Sequence, residues 1–328
     1  MTASPLLEIR DLKVHFGGSR TLFGITPPVV RAVDGVSFTL EKGRTLAIVG
    51  ESGCGKSTTG LALLRLIEPT SGKIMLHGED VTALPRAAFK PHRRQMQMIF
   101  QDAGASLNPR MPVADLVAEA LDIHGLARGA ARDRRVLQLL DLVGIPARML
   151  ERYPHELSGG QAQRIAICRA LAVEPELIVC DEPVSALDVS IQAQIVNLLQ
   201  DLQAELGLAY LFISHDLSVV RQVSDAIAVM YLGRIVETGP CDEIFAGASH
   251  PYTRALLSAV PVPDPAVERK RERIILKGDL PSPLAPPSGC RFRTRCPVVM
   301  PACSETEPPA VSLSAAHRAA CLRLPEFA

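Results

Sequence analysis

Several features are missing from this sequence, and each absence excludes something. No run approaches the roughly 18 apolar residues that a helix needs to cross a bilayer. The longest apolar stretches, 208–213 and 226–232, are strand-sized. No charge of either sign is in excess: 35 Lys and Arg stand against 35 Asp and Glu. A protein whose main partner is nucleic acid or an anionic membrane surface is therefore not expected. Residues 1–9 lack a basic region followed by an apolar segment, so no secretory signal and a reducing compartment are expected, with the eight cysteines held as thiols rather than disulfides. There is also no internal repeat. What remains is a chain of 328 residues, 47% of them hydrophobic, enough for a folded soluble protein of roughly two domains.

Alternating apolar and polar residues predict half-buried strands over 7–16 and 30–40, separated by Gly17, Gly18 and two prolines, as in an antiparallel layer. A continuous apolar run at 45–49 ends in a glycine-rich turn, and leucines at helical spacing follow over 57–67. A second buried strand is predicted at 96–100. The stretch from 113 to about 145 reads as a mostly helical insertion. Then come a helix at 161–172, a buried strand at 177–180, a helix at 191–206 and a strand at 209–214. Strands alternating with helices imply an α/β fold with a mainly parallel sheet. Prolines at 261, 263, 265, 281, 283, 286 and 287 then mark a change of composition, and the charged run 268–273 reads as a solvated linker. A boundary near Ala248 divides the chain into 1–248, with a helical subdomain at about 102–158, and a C-terminal extension over 249–328.

Gly50-Glu51-Ser52-Gly53-Cys54-Gly55-Lys56-Ser57 fits G-x-x-x-x-G-K-[ST] in full, between a strand and a helix as the pattern requires. The glycines let backbone N–H groups converge on phosphate oxygens, and the helix N-terminus adds its positive dipole. Lys56 reaches the β- and γ-phosphates, the Ser57 hydroxyl can ligate Mg²⁺, and Thr58 continues the loop. The predicted strand at 177–180 ends in Asp181-Glu182. An acid at the carboxyl end of a parallel strand suits Asp181 to the metal side. Glu182, the next residue, is the candidate to polarise an attacking water as general base.

Leu157-Ser158-Gly159-Gly160-Gln161 before a helix, and Ser214-His215-Asp216 after a buried strand, complete a set whose order resembles the ATP-binding-cassette ATPases. The resemblance runs from residue 7 to about 247 and implies a P-loop ATPase with an antiparallel layer and a helical subdomain. Physically, Ser158, Gly159 and Gly160 present a hydroxyl and bare N–H groups at a helix N-terminus, an anion site of its own. The resemblance implies that two such domains pair head-to-tail, so that the signature of one covers the γ-phosphate held by the other. It also implies that Gln101 senses Mg²⁺ and the attacking water, that His215 is a switch histidine at the γ-phosphate, and that Ser185-Ala186-Leu187-Asp188 is the loop crossing the dimer interface. Adenine would stack on Phe16, or on Phe23 as fallback, with core packing as the other reading of either ring.

The segments 31–38 and 106–110, with His250-Pro251-Tyr252-Thr253 at the head of the extension, resemble the ATPase subunits of dipeptide and oligopeptide importers, and in particular the second chain of their ATPase pair. This implies a paralogous ATPase partner, two membrane permeases, an extracytoplasmic binding protein and a place on the cytoplasmic face of the bacterial inner membrane. A nickel or glutathione importer is the alternative, and a soluble cassette ATPase acting on nucleic acid is disfavoured by the lack of a charged coiled-coil insertion or basic arm. Cys290, Cys296, Cys303 and Cys321, with Arg291, Arg293 and Arg295 between them, fall in a segment expected to lack a core. Zinc usually takes a C-x₂₋₄-C pair, which is missing, while four thiolates beside arginines suit an iron–sulfur cluster. The importer resemblance favours [4Fe–4S]; zinc and free thiols stay open. Cys54, Cys168, Cys180 and Cys241 read as buried thiols.

Overall fold

The computed structural model describes residues 4–18, 28–261, 264–269 and 272–324. In chain order the strands are β1 (Leu7–Phe16), β2 (Val30–Leu40), β3 (Thr45–Val49), β4 (Ser71–Leu76), β5 (Glu79–Asp80), β6 (Met96–Ile99), β7 (Leu177–Asp181), β8 (Ala209–Ser214), β9 (Ala226–Tyr231), β10 (Arg234–Pro240), β11 (Val311–Ser312) and β12 (Arg318–Ala319). The helices used below are α1 (Lys56–Leu63), α2 (Arg86–Gln95), α3 (Ala103–Ser106), α4 (Val113–His124), α5 (Ala130–Leu142), α6 (Gly159–Leu171), α7 (Val189–Leu206), α8 (Leu217–Val223), α9 (Cys241–Gly247) and α10 (Pro251–Ser258). The strands predicted from alternation and apolar runs form within a residue of their expected limits. Among the described residues no helix is long and apolar enough to cross a membrane.

The chain gathers into two compact units. The first comprises Met1–Thr39, Leu46–Thr82 and His215–Ala328. One of its sheets has the order β2-β1-β4-β5, with β1 antiparallel to β4. Leu7, Ile9, Leu12 and Val14 of β1 are buried with Ile74 and Leu76 of β4, as the two-residue period requires. The register slips between Arg10 and Lys13, where Asp11 takes a left-handed φ of 47°. In the other sheet β3 lies parallel to β9, β9 antiparallel to β10, β10 to β12, and β12 to β11. Every residue of β3 is buried, which is why it reads as a continuous apolar run.

The C-terminal extension is part of this first unit. The sequence predicts a coreless tail; the structure instead buries Phe292 to 1% exposure, its ring 5.2 Å from that of Tyr231 and 5.4 Å from that of Tyr252. The tail also adds β12 to the edge of β10 and pairs buried His317 with buried Glu237 at 2.8 Å. A segment too short for its own core thus packs onto one that β9, β10 and α10 supply.

The second unit, Leu40–Thr45 with Ala83–Ser214, carries a parallel ladder in the order β8-β7-β6 and the helices α2 to α7. β7 and β8 are buried throughout. The predicted insertion over 113–145 divides into α4 and α5, because Gly125 takes the left-handed conformation, φ 64°, that ends a helix. α6 and α7 both start two residues earlier than the leucine spacing indicates, since Ser158 and Asp188 occupy the N-cap positions.

Candidate nucleotide site

The phosphate loop joins β3 to α1 within the first unit. Gly50 has φ 154°, and a Cβ there would lie 2.2 Å from the Met230 carbonyl oxygen; at Gly55, φ 106°, a Cβ would lie 2.1 Å from that of Ala32. Only glycine fits at either place, which lets the loop pass directly against the Met230 and Ala32 backbone. Lys56 is buried at the first position of α1, and its Nζ donates to the carbonyls of Gly50 (2.8 Å) and Glu51 (3.0 Å). No acidic residue stands in the first turn of α1, leaving its positive end uncompensated by carboxylate. Ser52 and Gly53 are exposed, and Ser57 and Thr58 half-buried. Cys54 points inward at 1% exposure, where burial pushes its thiol pKa up, against the opposing charge of Lys56. Phe16, at the end of β1, is 40% exposed, which removes core packing as its role. Phe23 falls outside the described residues.

The second unit holds the acids and the signature. Asp181 ends β7 and is 7% exposed. Glu182 follows with a left-handed φ of 46°, an unusual backbone for a carboxylate residue, and one that turns it away from the strand direction. Its carboxylate accepts from Gln101 Nε2 at 3.1 Å, while its carbonyl accepts from Ser185 Oγ at 3.0 Å. The structure therefore brings together Gln101 and Glu182, 81 residues apart, with the start of the 185–188 loop beside them. His215 directly follows β8 and is exposed. Ser158 caps α6: its Oγ accepts from Gln161 N at 3.3 Å, and Gln161 Oε1 accepts from Ser158 N at 2.9 Å. Ser158 and Gly159 stay exposed, and so do Ser185, Ala186 and Asp188, while Leu157, Gly160, Gln161 and Leu187 are half-buried.

Gly160 has a second reason to be glycine that spacing does not reveal. A Cβ there would approach Ile191 Cγ2 to 2.6 Å, and one at Gly159 would approach Leu187 Cδ2 to 3.3 Å. The signature is packed directly against the 185–188 loop and the start of α7.

In the tail, the arginines between the cysteines are engaged away from the thiols, so their neighbourhood in sequence does not carry over to the thiols' surroundings. Arg291 pairs with buried Asp34 and donates to the Leu232 carbonyl at 2.6 Å; Arg293 donates to the Ser288 carbonyl at 3.0 Å; Arg295 pairs with Glu51. The cations acting on the thiols are instead Arg323, near Cys296 and Cys321, and Arg254, near Cys321, neither of which the cysteine spacing indicates. Burial raises the pKa of Cys290 to about 11, and the charges of Cys303, Cys296 and Cys321 each add to that rise. Cys303 is buried, the other three half-buried. Among the described residues no three His, Cys, Asp or Glu side chains converge as the ligands of one metal ion would. Cys54, Cys168, Cys180 and Cys241 are buried thiols, as expected.

Comparison with known proteins places these features. The family described as ABC transporter matches residues 33–185, and that described as oligopeptide/dipeptide transporter, C-terminal region, matches residues 236–303. The chain is 52% identical over 323 residues to the oligopeptide transport ATP-binding protein OppF of Salmonella typhimurium, covering 97% of this chain and 96% of that one. It is 52% identical over 317 residues to the oligopeptide transport ATP-binding protein AppF of Bacillus subtilis, covering 96% of each. Among solved structures, a dimeric ATP-binding cassette in a post-hydrolysis state bound to ADP and Pi superposes with a TM-score of 0.62 at 27% identity, over 72% of this chain and 98% of that one. CbiO1 of Clostridium perfringens, part of an ABC transporter complex, superposes with a TM-score of 0.63 at 28% identity, over 74% and 91%. From the phosphate loop to the tail, this chain belongs to the ABC transporter ATPases, in the branch that carries the oligopeptide/dipeptide-transporter C-terminal region.

Proposed function

We propose that the chain hydrolyses ATP to drive import of di- or oligopeptides, working with a second, paralogous ATPase chain and two permeases at the cytoplasmic face of the membrane, with peptide delivered by an extracytoplasmic binding protein. The observation that carries this reading is the presence in one chain of the full nucleotide motif set and the tail that matches the peptide-transporter C-terminal region. Reconstitution of the complex in proteoliposomes tests it: a peptide-loaded binding protein should stimulate ATP hydrolysis and peptide uptake together. Stimulation by loaded nickel- or glutathione-binding proteins, and not by peptide, would replace the cargo.

The roles within the nucleotide site are proposed in the same way. The loop N–H groups of Ser52, Gly53, Cys54 and Gly55, with Lys56, hold the β- and γ-phosphates, and Thr58 and Phe16 complete the nucleotide contacts, Phe16 as the adenine platform. Ser57, Gln101 and Asp181 would hold Mg²⁺, which supplies charge neutralisation on the phosphate oxygens. Glu182 takes the proton of the attacking water, and Gln101 orients both; their 3.1 Å hydrogen bond fits that pairing. Exposed His215, the capped signature 157–161 and the exposed 185–188 loop act across a head-to-tail pair. Val189, 83% exposed beside that loop, is an apolar surface that such a pair would cover.

The four tail cysteines are proposed as ligands of a [4Fe–4S] cluster. A single zinc needs its sulfurs within about 2.3 Å of one ion, whereas a cubane spreads them, one to each iron. What supports the proposal is that the thiols of Cys303, Cys296 and Cys321 all lie near enough to Cys290 for their charges to act on it. Anaerobically purified protein should then be brown and hold about four irons per chain. One zinc and no iron would turn the site into a structural zinc centre, and no metal would leave free thiols.

A further inference from the structure

Glu51, the second residue of the phosphate loop, has each of its polar groups held within its own unit. Its N–H donates to Tyr252 Oη at 2.9 Å, its carbonyl accepts from Lys56 Nζ at 3.0 Å, and its carboxylate receives the Arg295 guanidinium on two prongs, at 2.7 and 3.1 Å. Two of these three partners belong to the tail, 201 and 244 residues further along the chain. Both are firmly seated. Tyr252 is fully buried, its ring 4.7 Å from that of Tyr231, with Phe292 packed against both. The Arg295 side chain is 9% exposed, and its two hydrogen bonds to Glu51 hold its charge in place against the cost of burial.

A carboxylate in a phosphate loop is a like charge set beside the polyanion the loop exists to bind, and its repulsion grows as water is excluded. The fork of Arg295 cancels it. Lys56 must share its grip on the Gly50 and Glu51 carbonyls with any phosphate oxygen that arrives, but neither tail contact is shared in that way. We infer that Arg295 and Tyr252 are positioning residues of the nucleotide site: they neutralise Glu51 and fix its peptide, so that the loop is open to a triphosphate before one binds. The inference rests on ATP being the ligand of this loop, and it makes the tail a working part of that loop. Binding to a pre-set loop avoids the cost of ordering it at the moment of association.

The test is the MgATP dissociation constant of the full-length chain, followed by KM and kcat in the assembled transporter. Arg295→Ala should weaken MgATP binding about tenfold and raise KM with kcat nearly kept, because it leaves Glu51 as an unpaired anion. Arg295→Lys should recover part of the loss. Adding Glu51→Gln to Arg295→Ala should return the affinity to within about threefold of the unaltered chain, since no anion then remains to be neutralised. Tyr252→Phe, which removes one oxygen and keeps the ring packing, should weaken binding severalfold by itself and serves if Arg295→Ala does not fold. Unchanged affinity in Arg295→Ala and Tyr252→Phe, or a double variant weaker than Arg295→Ala alone, would overturn the inference and leave the ion pair a fold-stabilising contact. Lys56→Ala is the control: if the unaltered chain binds MgATP and Lys56→Ala does not, a null result at Arg295 counts against this inference and not against the loop's ligand.

Discussion

Three basic side chains converge on the buried Asp34. Its carboxylate accepts from His15 Nε2 at 2.9 Å, pairs with Arg291, and lies 3.6 Å from an Arg234 guanidinium nitrogen. Burial by itself would raise its pKa, but the hydrogen bonds from Arg291 and His15 outweigh it and hold the group below the usual carboxylate range. Asp34→Ala leaves Arg291 buried and uncompensated, so a loss of about 3–5 kcal/mol is expected in urea unfolding, with Asp34→Asn costing less. Because the folded pKa is depressed, the stabilisation is complete above about pH 4, the unfolded value, and is lost as pH falls further. At Glu182 the expectation is chemical. Glu182→Gln should stop steady-state hydrolysis while MgATP affinity is preserved, since an amide can still hydrogen-bond Gln101 but cannot accept the proton. Near-normal turnover in the assembled complex would remove Glu182 as base. Asp34 sits inside the 31–38 segment that resembles the importers, yet nothing in sequence pairs it with Arg291, 257 residues away. Long-range partners of this kind leave no local pattern.

At the scale of elements, those governed by local rules were legible and those governed by distant neighbours were not. β1, β3, β7 and β8 follow from alternation or apolar runs, and the phosphate loop follows from its glycines, of which Gly50 and Gly55 answer a close backbone approach and Gly53 a left-handed φ. The division of the helical insertion at Gly125, the two-residue β11 and β12, and the burial of the tail were missed. Edges of two residues carry no period, and a borrowed core has no sequence signature. α10 offers a pH test of this borrowed core. His250 caps it, Nδ1 accepting from Tyr252 N at 3.1 Å while its own N–H donates to Glu237 at 3.0 Å, and burial pushes its pKa down to about 3. The folded chain therefore refuses the proton that the unfolded chain takes up below about pH 6.5, so stability is present above that pH and falls at up to about 1.4 kcal/mol per pH unit toward pH 3. His250→Asn, which keeps a capping acceptor, should flatten that acid limb in urea midpoints measured from pH 7 to 4. An unchanged slope would show that His250 does not govern it.

At the scale of the whole molecule, the tail decides what can be removed. A chain ended at Ala248 would lack Arg291, Arg295 and His317, the tail partners of Asp34, Glu51 and Glu237, and would uncover the ring of Tyr231. Such a truncation is expected to aggregate on expression in place of yielding a trimmed ATPase, as light scattering of the purified material would show; a monodisperse, MgATP-binding fragment would contradict it. The unit that holds the phosphate loop is also discontinuous, interrupted by 83–214, whereas the second unit is nearly one stretch of chain. A ribosome adding roughly 5–20 residues per second delivers the second unit complete while the first still waits for its last hundred residues. The nucleotide loop, made early, is finished only when Tyr252, Arg291 and Arg295 emerge. A polypeptide whose translation stops short thus carries the whole phosphate motif in its sequence and none of the tail that sets it, so full-length synthesis is itself the checkpoint for a nucleotide-ready loop.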